Sequence, residues 1–249
     1  MYNDINIGPV TIHMYGIMIT IGVIVAYILC EYRAKKRELD SDIIFGILWC
    51  TMVGGVIGSR FLYYIVSIKD IMDDISLIWN FSTGFVVYGF IIGGVVSSYI
   101  YCRIKKVSAA KYFDLIMPEV ALAQGIGRIG CFFAGCCYGR QTDSVFGIAF
   151  KHSDYAPNGV KLIPTQLISS AGDFIIAGIL FLYAEKERPD ACVGALYMIL
   201  YGLGRFLVEF LRNDYRGNIG ILSTSQLISV IVFAAGIVLF IKKKQKKSA

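Results

Sequence analysis

Arg128 and Arg205 each interrupt a long apolar stretch, in the nearly parallel settings GIGRIGCF and GLGRFLVEF. A guanidinium keeps its proton even in lipid, and placing one at mid-helix costs about 2.5–3.5 kcal/mol unless a partner or an anionic ligand meets it. Two such residues point to a buried site for an anionic head group. Glu209 lies four residues beyond Arg205 on the same helical face and is a ready counter-charge for it, which leaves Arg128 unmatched. Arg60 sits near the end of a third apolar run, where its side chain can also snorkel to an interface. His13 stands at the entrance to the first apolar stretch, a position that suits a helix cap or interfacial residue as well as a proton acceptor. Tyr15, Tyr88 and Tyr201 offer hydroxyls beside these charges and equally suit an interfacial aromatic belt.

Such residues need elements that carry them into lipid, and the chain has them. Its 249 residues are 56% hydrophobic and 17% charged, with a mean hydropathy of +0.64, which is too apolar for a single soluble core. Seven stretches meet the bilayer's demand for about 20 apolar residues: 13–31, 43–66, 84–102, 113–137, 165–184, 192–211 and 224–241. The expected fold is therefore all-α, a polytopic membrane protein forming one integral membrane domain over residues 1–249. The fourth stretch ends in a cluster of Gly and Cys that suits a broken or re-entrant segment. The longest loop, about 138–164, predicts a small head or lid.

The formal charge of +6 does not indicate nucleic acid, because the basic residues fall in short runs beside apolar stretches: RAKKR, RIKK, EKER and KKKQKK. These follow the first, third, fifth and seventh stretches, whereas the second is followed by Asp70, Asp73 and Asp74. Positive loops stay in the cytoplasm, so the N-terminus is expected outside and the C-terminus inside. No cleavage site follows the first apolar run, which is expected to be retained. With a rise of 1.5 Å per residue, Arg128, Arg205 and Arg60 lie about 22, 20 and 25 Å up their helices, all in the outer half of the membrane.

Glycines and cysteines crowd the neighbourhood of Arg128. Gly54, Gly55, Gly58, Gly93 and Gly94 suit close helix packing, whereas Gly127, Gly130, Gly135 and Gly139 in GRIGCFFAGCCYG leave space for a ligand or a bent backbone. Cys131, Cys136 and Cys137 serve either as small packing residues or as a thiol redox or soft-metal centre. Their C-x4-C-C spacing matches no zinc pattern, and a fourth ligand would have to come from His13, His152 or water.

The string QGIGRIGCFFAGCCYGR from Gln124 to Arg140 resembles the signature segment of the bacterial prolipoprotein diacylglyceryl transferases, Gly-Arg-x-Gly-Asn-Phe ending in a Gly. IGPVTIHMYG resembles the family's His-x-Tyr-Gly opening, and GGVIGSRFLYYI its second-helix Gly-Gly-Arg stretch. VVYGFIIGGV resembles the segment with His or Tyr before Gly-Gly, IPTQL its His-Pro-Ser/Thr-Gln-Leu, and YGLGRFLVEFLR its late arginine motif. Six partial matches in order, over nearly the whole chain, are far more specific than one short motif.

The resemblance implies transfer of the diacylglyceryl group of phosphatidylglycerol to the lipobox cysteine beside a prolipoprotein signal peptide, in the bacterial cytoplasmic membrane. A thioether forms and glycerol phosphate is released. It implies Arg128 and Arg205 as the essential, phosphate-holding arginines, with Tyr88 and His13 assisting and the base unassigned. Arg60, Tyr15, Gln166, Tyr201 and Glu209 follow as substrate-binding residues by motif position, and no cofactor or metal is required. The chain departs from the pattern at Cys131, which replaces Asn, at Cys136, where an acidic residue is common, and at Ile163, Ile168 and Ser169. Two other readings stay open: a thiol oxidoreductase working through Cys131, Cys136 and Cys137, and a noncatalytic lipid-binding or transport protein.

Overall fold

The computed structural model describes residues 4–7, 10–80, 84–213, 218–219 and 222–248. It is mostly helical, and seven of its helices are long and apolar enough to cross a membrane. They are α1 (Met14–Lys36), α2 (Ser41–Val66), α4 (Val87–Ile104), α5 (Ala109–Ala134), α6 (Thr165–Ala184), α7 (Cys192–Glu209) and α8 (Thr224–Ser248). A short helix, α3 (Ile68–Asp73), and a 3-10 turn at 75–78 occupy the acidic connection. Among the described residues three antiparallel strand pairs accompany the helices: β1 (Asp4–Ile7) with β2 (Val10–His13), β3 (Ile148–Ala149) with β4 (Lys161–Leu162), and β5 (Asn218–Ile219) with β6 (Leu222–Ser223). The seven expected stretches are the seven long helices, and α6, α7 and α8 begin at the expected residues.

The chain divides into two compact units, one of Met1–Cys30 with Phe113–Ala249 and the other of Glu31–Tyr112. In the second unit α2 packs on α4 along a seam of small residues. A Cβ on Gly58 would strike the carbonyl oxygen of Gly89, and a Cβ on Gly89 would strike that of Gly58. Gly54 and Gly93 meet in the same reciprocal way one turn along. The two backbones touch directly, as small-residue seams allow where lipid supplies no hydrophobic drive between helices. Ser97 Oγ donating to the Cys50 carbonyl (2.7 Å) and the Thr51–Ser98 hydroxyl pair (2.7 Å) extend the seam.

In the first unit the core gathers on α6 and α7, where Ile176, Ala177, Leu180, Ala184 and Val193 are buried with Ala121 of α5. Ser170 Oγ of α6 donates to the Gly125 carbonyl of α5 at 2.7 Å, fixing the register of these two helices. The start of α7 is capped across the fold, with Asp114 accepting from the Gly194 amide at 2.8 Å. The start of α8 carries a reciprocal capping box. Gln226 N donates to Ser223 Oγ (3.1 Å) and Ser223 N donates to Gln226 Oε1 (3.0 Å).

The fourth expected stretch runs as one continuous helix to Ala134, with Pro118 inside it. Its Gly and Cys cluster lies at and beyond the helix end, where Gly135 takes φ +70 and terminates it. The connection that follows has a small core of its own, with Phe150, Ala156 and Leu162 buried against Phe132, Tyr138 and Val160.

Candidate active site

Three helices of the first unit bring two arginines to one cleft. Arg128 comes from α5, Asp173 from α6, and Tyr201 and Arg205 from α7. The Ser170–Gly125 bond sets the pairing, because Asp173 and Arg128 each follow those residues by three positions on their helices. Gly172 has nothing within 4 Å of its missing Cβ, and Gly204 only a methyl of Ile176 at 4.0 Å, so two glycines keep the cleft open. The cleft is partly open and encloses about 50 Å³.

The two arginines are held differently. Arg205 is fixed from below: its Nη2 is 2.7 Å from Glu209 Oε2 and donates to Ser225 Oγ at 3.1 Å. The pairing with Glu209 is an ion pair by proximity, since that oxygen lacks hydrogen-bond alignment with any described group. Glu209 is itself positioned by Ser223, whose hydroxyl donates to Oε1 at 3.0 Å and also forms the α8 capping box. Arg205 Nη1, fully buried, meets no acceptor among the described residues. An orphaned donor on a permanent cation is costly in protein and asks for an anion. Arg128 lies 4.0 Å from Asp173 through Nε, too far for a hydrogen bond, and its side chain is more exposed than its partner's.

Asp173 is the residue that sequence reasoning missed. The rule applied to the arginines, that an ionisable group inside an apolar helix marks function, selects it equally in SSAGDFII. Tyr201 lines the cleft and stacks on Tyr197 with ring centroids 5.5 Å apart, and Tyr197 donates to Gln124 Oε1 at 2.9 Å. Tyr15 packs its backbone against Gly130, two residues past Arg128. His13 ends strand β2 immediately before α1 and is exposed, and Gly8 and Pro9 of the same motif lie outside the described residues.

Gln166 is buried with its amide donating to the Cys136 carbonyl at 2.7 Å, while Thr165 Oγ1 donates to the Cys137 carbonyl at 2.7 Å. The first turn of α6 thus grips the turn that follows α5. Cys131, Cys136 and Cys137 bring their sulfur atoms within 4.8 Å of one another there. Hydrogen bonding to Cys131 and to Cys137, with burial, pushes the Cys136 thiol above its usual pKa, so it stays protonated at neutral pH.

Arg60 and Tyr88 belong to the other unit. Arg60 is buried, and its guanidinium donates to Tyr64 Oη (3.0 Å) and to the carbonyls of Gly84 (3.3 Å), Leu77 (3.0 Å) and Ile78 (2.9 Å). It also lies over the rings of Tyr63, Tyr64 and Phe85. Its donors tie the 77–84 connection to α2. Tyr88 is half-buried in the first turn of α4.

Seven apolar helices and a cleft kept open by two glycines, with two partly buried arginines on its wall, mark a multi-pass membrane protein. The family model for prolipoprotein diacylglyceryl transferase matches residues 4–242. A phosphatidylglycerol–prolipoprotein diacylglyceryl transferase of Clostridium tetani is 47% identical over 229 residues, covering 92% of each chain. A second protein of that name, numbered 2, in Clostridium perfringens is 45% identical, with 94% of this chain and 92% of the relative covered. One from Finegoldia magna is 35% identical over 97% of this chain and 95% of its own. The chain belongs to the prolipoprotein diacylglyceryl transferase family, as a multi-pass protein of the bacterial cell membrane.

Proposed function

We propose that this protein transfers the diacylglyceryl group of phosphatidylglycerol to the lipobox cysteine of prolipoproteins, using the cleft between α5, α6 and α7. The acceptor sulfur attacks the glycerol carbon that bears the phosphate. A carbon–sulfur bond forms, the carbon–oxygen bond to phosphate breaks, and glycerol phosphate leaves carrying the additional negative charge. The thiol proton leaves with the departing phosphate or through a neighbouring group. Charge grows on the phosphate as the bond breaks, so donors placed there lower the barrier more than they tighten the ground state.

The observation that carries this reading is Arg205 Nη1, which meets no acceptor among the described residues, beside the loosely paired Arg128. A phosphate oxygen supplies the acceptor that the protein withholds, and the Arg128 guanidinium adds a second charge-assisted contact. Glu209 and Ser225 hold Arg205 in place, and Asp173 limits the travel of Arg128. Tyr201 and Tyr15 border the bound head group, and Gln166 steadies the turn beyond α5. His13 and Tyr88 assist proton movement or positioning, with Tyr88 acting through its hydroxyl because its ordinary pKa near 10 makes it a poor base. Arg60 anchors Leu77, Ile78 and Gly84 to α2. The N-terminus lies outside and the C-terminus in the cytoplasm, which puts the cleft in the outer half of the membrane where exported lipoproteins arrive.

The test is purified protein in phosphatidylglycerol bilayers with a lipobox peptide, following peptide mass and glycerol phosphate release. The expected result is a diacylglyceryl adduct that Arg128→Ala abolishes. No adduct from folded protein that binds the lipid overturns the reading.

A further inference from the structure

We propose that Cys131, Cys136 and Cys137 form a three-coordinate binding site for a soft, sulfur-preferring metal ion of the Cu(I) type, distinct from the arginine cleft. The sulfur atoms already lie within 4.8 Å of one another. A metal–sulfur bond of about 2.3 Å in trigonal geometry sets the sulfurs about 4.0 Å apart, so only a small contraction is needed. Soft thiolate ligands select such ions over hard ones.

The turn that carries the thiols is held in shape. Gly135 (φ 70) and Cys137 (φ 63) both take the left-handed conformation, which folds Cys136 and Cys137 back over the end of α5, where Cys131 sits. That conformation disfavours any side chain, so Cys137 keeps its sulfur in the cluster against its backbone preference. The carbonyls of Cys136 and Cys137 are fixed by Gln166 and Thr165, and Cys136 Sγ is aimed at the Cys131 carbonyl at 3.7 Å. The donors need little reorganisation to bind. Cys131 is buried while Cys136 and Cys137 are half-buried, which leaves one side of the cluster reachable.

The coordination number follows from what is nearby. No imidazole or carboxylate of the described residues joins the group, so a tetrahedral zinc site lacks its fourth protein ligand. A Cu(I) ion binds with loss of the thiol protons to bulk, and no electron is transferred. Arg128, one helical turn before Cys131 and within electrostatic reach of Cys131 and Cys137, offsets the negative charge that develops on the sulfurs.

The experiment uses the full-length protein in detergent under a reducing, anaerobic atmosphere, with Cu(I) delivered from a competing chelator. Stoichiometry, sulfur-to-metal ultraviolet absorption and the thermal midpoint are read together. The expected result is one ion per chain, unchanged in a variant with Cys30, Cys50, Cys102 and Cys192 all replaced by Ser. Affinity falls at least about a hundredfold in Cys131→Ser, beyond what loss of a supporting shell commonly costs. Cys137→Gly is the sharpest probe, because glycine suits φ 63 and keeps the fold while removing one sulfur. It should match the parent in metal-free thermal midpoint and lose the ion-dependent rise. Equal affinity in Cys137→Gly and the parent, or binding lost only when the four remote cysteines are removed, overturns the proposal.

Discussion

Arg60, buried, and Arg205, partly buried, both stand late in apolar helices, yet they are in opposite states of hydrogen bonding. Arg60 donates to a tyrosine hydroxyl and three backbone carbonyls and is flanked by three aromatic rings. Arg205 has a carboxylate and a serine on one edge and a bare nitrogen on the other. The first arrangement consumes a cation to hold a connection. The second leaves one nitrogen of a cation without an acceptor among the described residues. The presence of charge in an apolar helix does not separate these two cases; counting the acceptors around each nitrogen does.

The contrast is tested first at Arg128, the other cleft cation. Arg128→Ala should cut diacylglyceryl transfer about 10²–10³-fold, the usual effect of removing one oxyanion donor, with a thermal midpoint close to the parent's. Arg205→Ala should lose as much activity and some stability too, because Glu209 is left as a buried unpaired carboxylate. Adding Glu209→Gln should restore stability without activity. Arg60→Ala should show the converse pattern, losing about 3 kcal/mol of stability as its carbonyl partners are orphaned, while activity per folded molecule falls far less. Equal activity losses for Arg60→Ala and Arg128→Ala at unchanged stability would erase the distinction.

Smaller effects sharpen it further. Gly172→Leu fills the cleft without touching a charge, and should raise the apparent KM for phosphatidylglycerol by about tenfold, or 1.4 kcal/mol, with kcat changed less. The smallest expected effect is at Cys136. Its raised pKa favours the neutral thiol in the folded protein, so maleimide labelling there should remain slow through neutral pH and accelerate only above the range of an ordinary cysteine. Mass spectrometry of labelled peptides across a pH series measures this directly, and fast labelling at pH 7 contradicts the hydrogen-bonded arrangement.

Hydropathy suffices to find the seven helices because a span of lipid imposes a length that no short-range effect can hide. Pro164 ahead of Thr165 and the Ser223/Gln226 box ahead of α8 mark starts that are written locally. The hairpins at Ile148–Ala149 with Lys161–Leu162 and at Asn218–Ile219 with Leu222–Ser223 have two-residue strands, too short for any alternation to register. Arg128 and Arg205 were legible as candidates because their environment conflicts with their charge, and the structure brings them to one cleft. Asp173 carries the same conflict and was readable by the same rule, whereas its partnership with Arg128 depends on the pairing of α5 with α6, which no spacing along the chain encodes. The roles of Arg60 and Gln166 were hidden for a similar reason, since their partners are backbone carbonyls 17 to 30 residues away.

The seam between Gly58 and Gly89 limits how this protein can change over generations. What each missing Cβ would strike is the other helix's main-chain oxygen, and no codon change alters that atom. An inherited alanine at either position therefore has no remedy in the residue facing it; the helices must separate, and every contact along them must be remade. At Gly172, where the space is open, a larger residue is a question of function alone. Selection acts on the one glycine through the work of the cleft, and on the others through whether the chain has a shape at all.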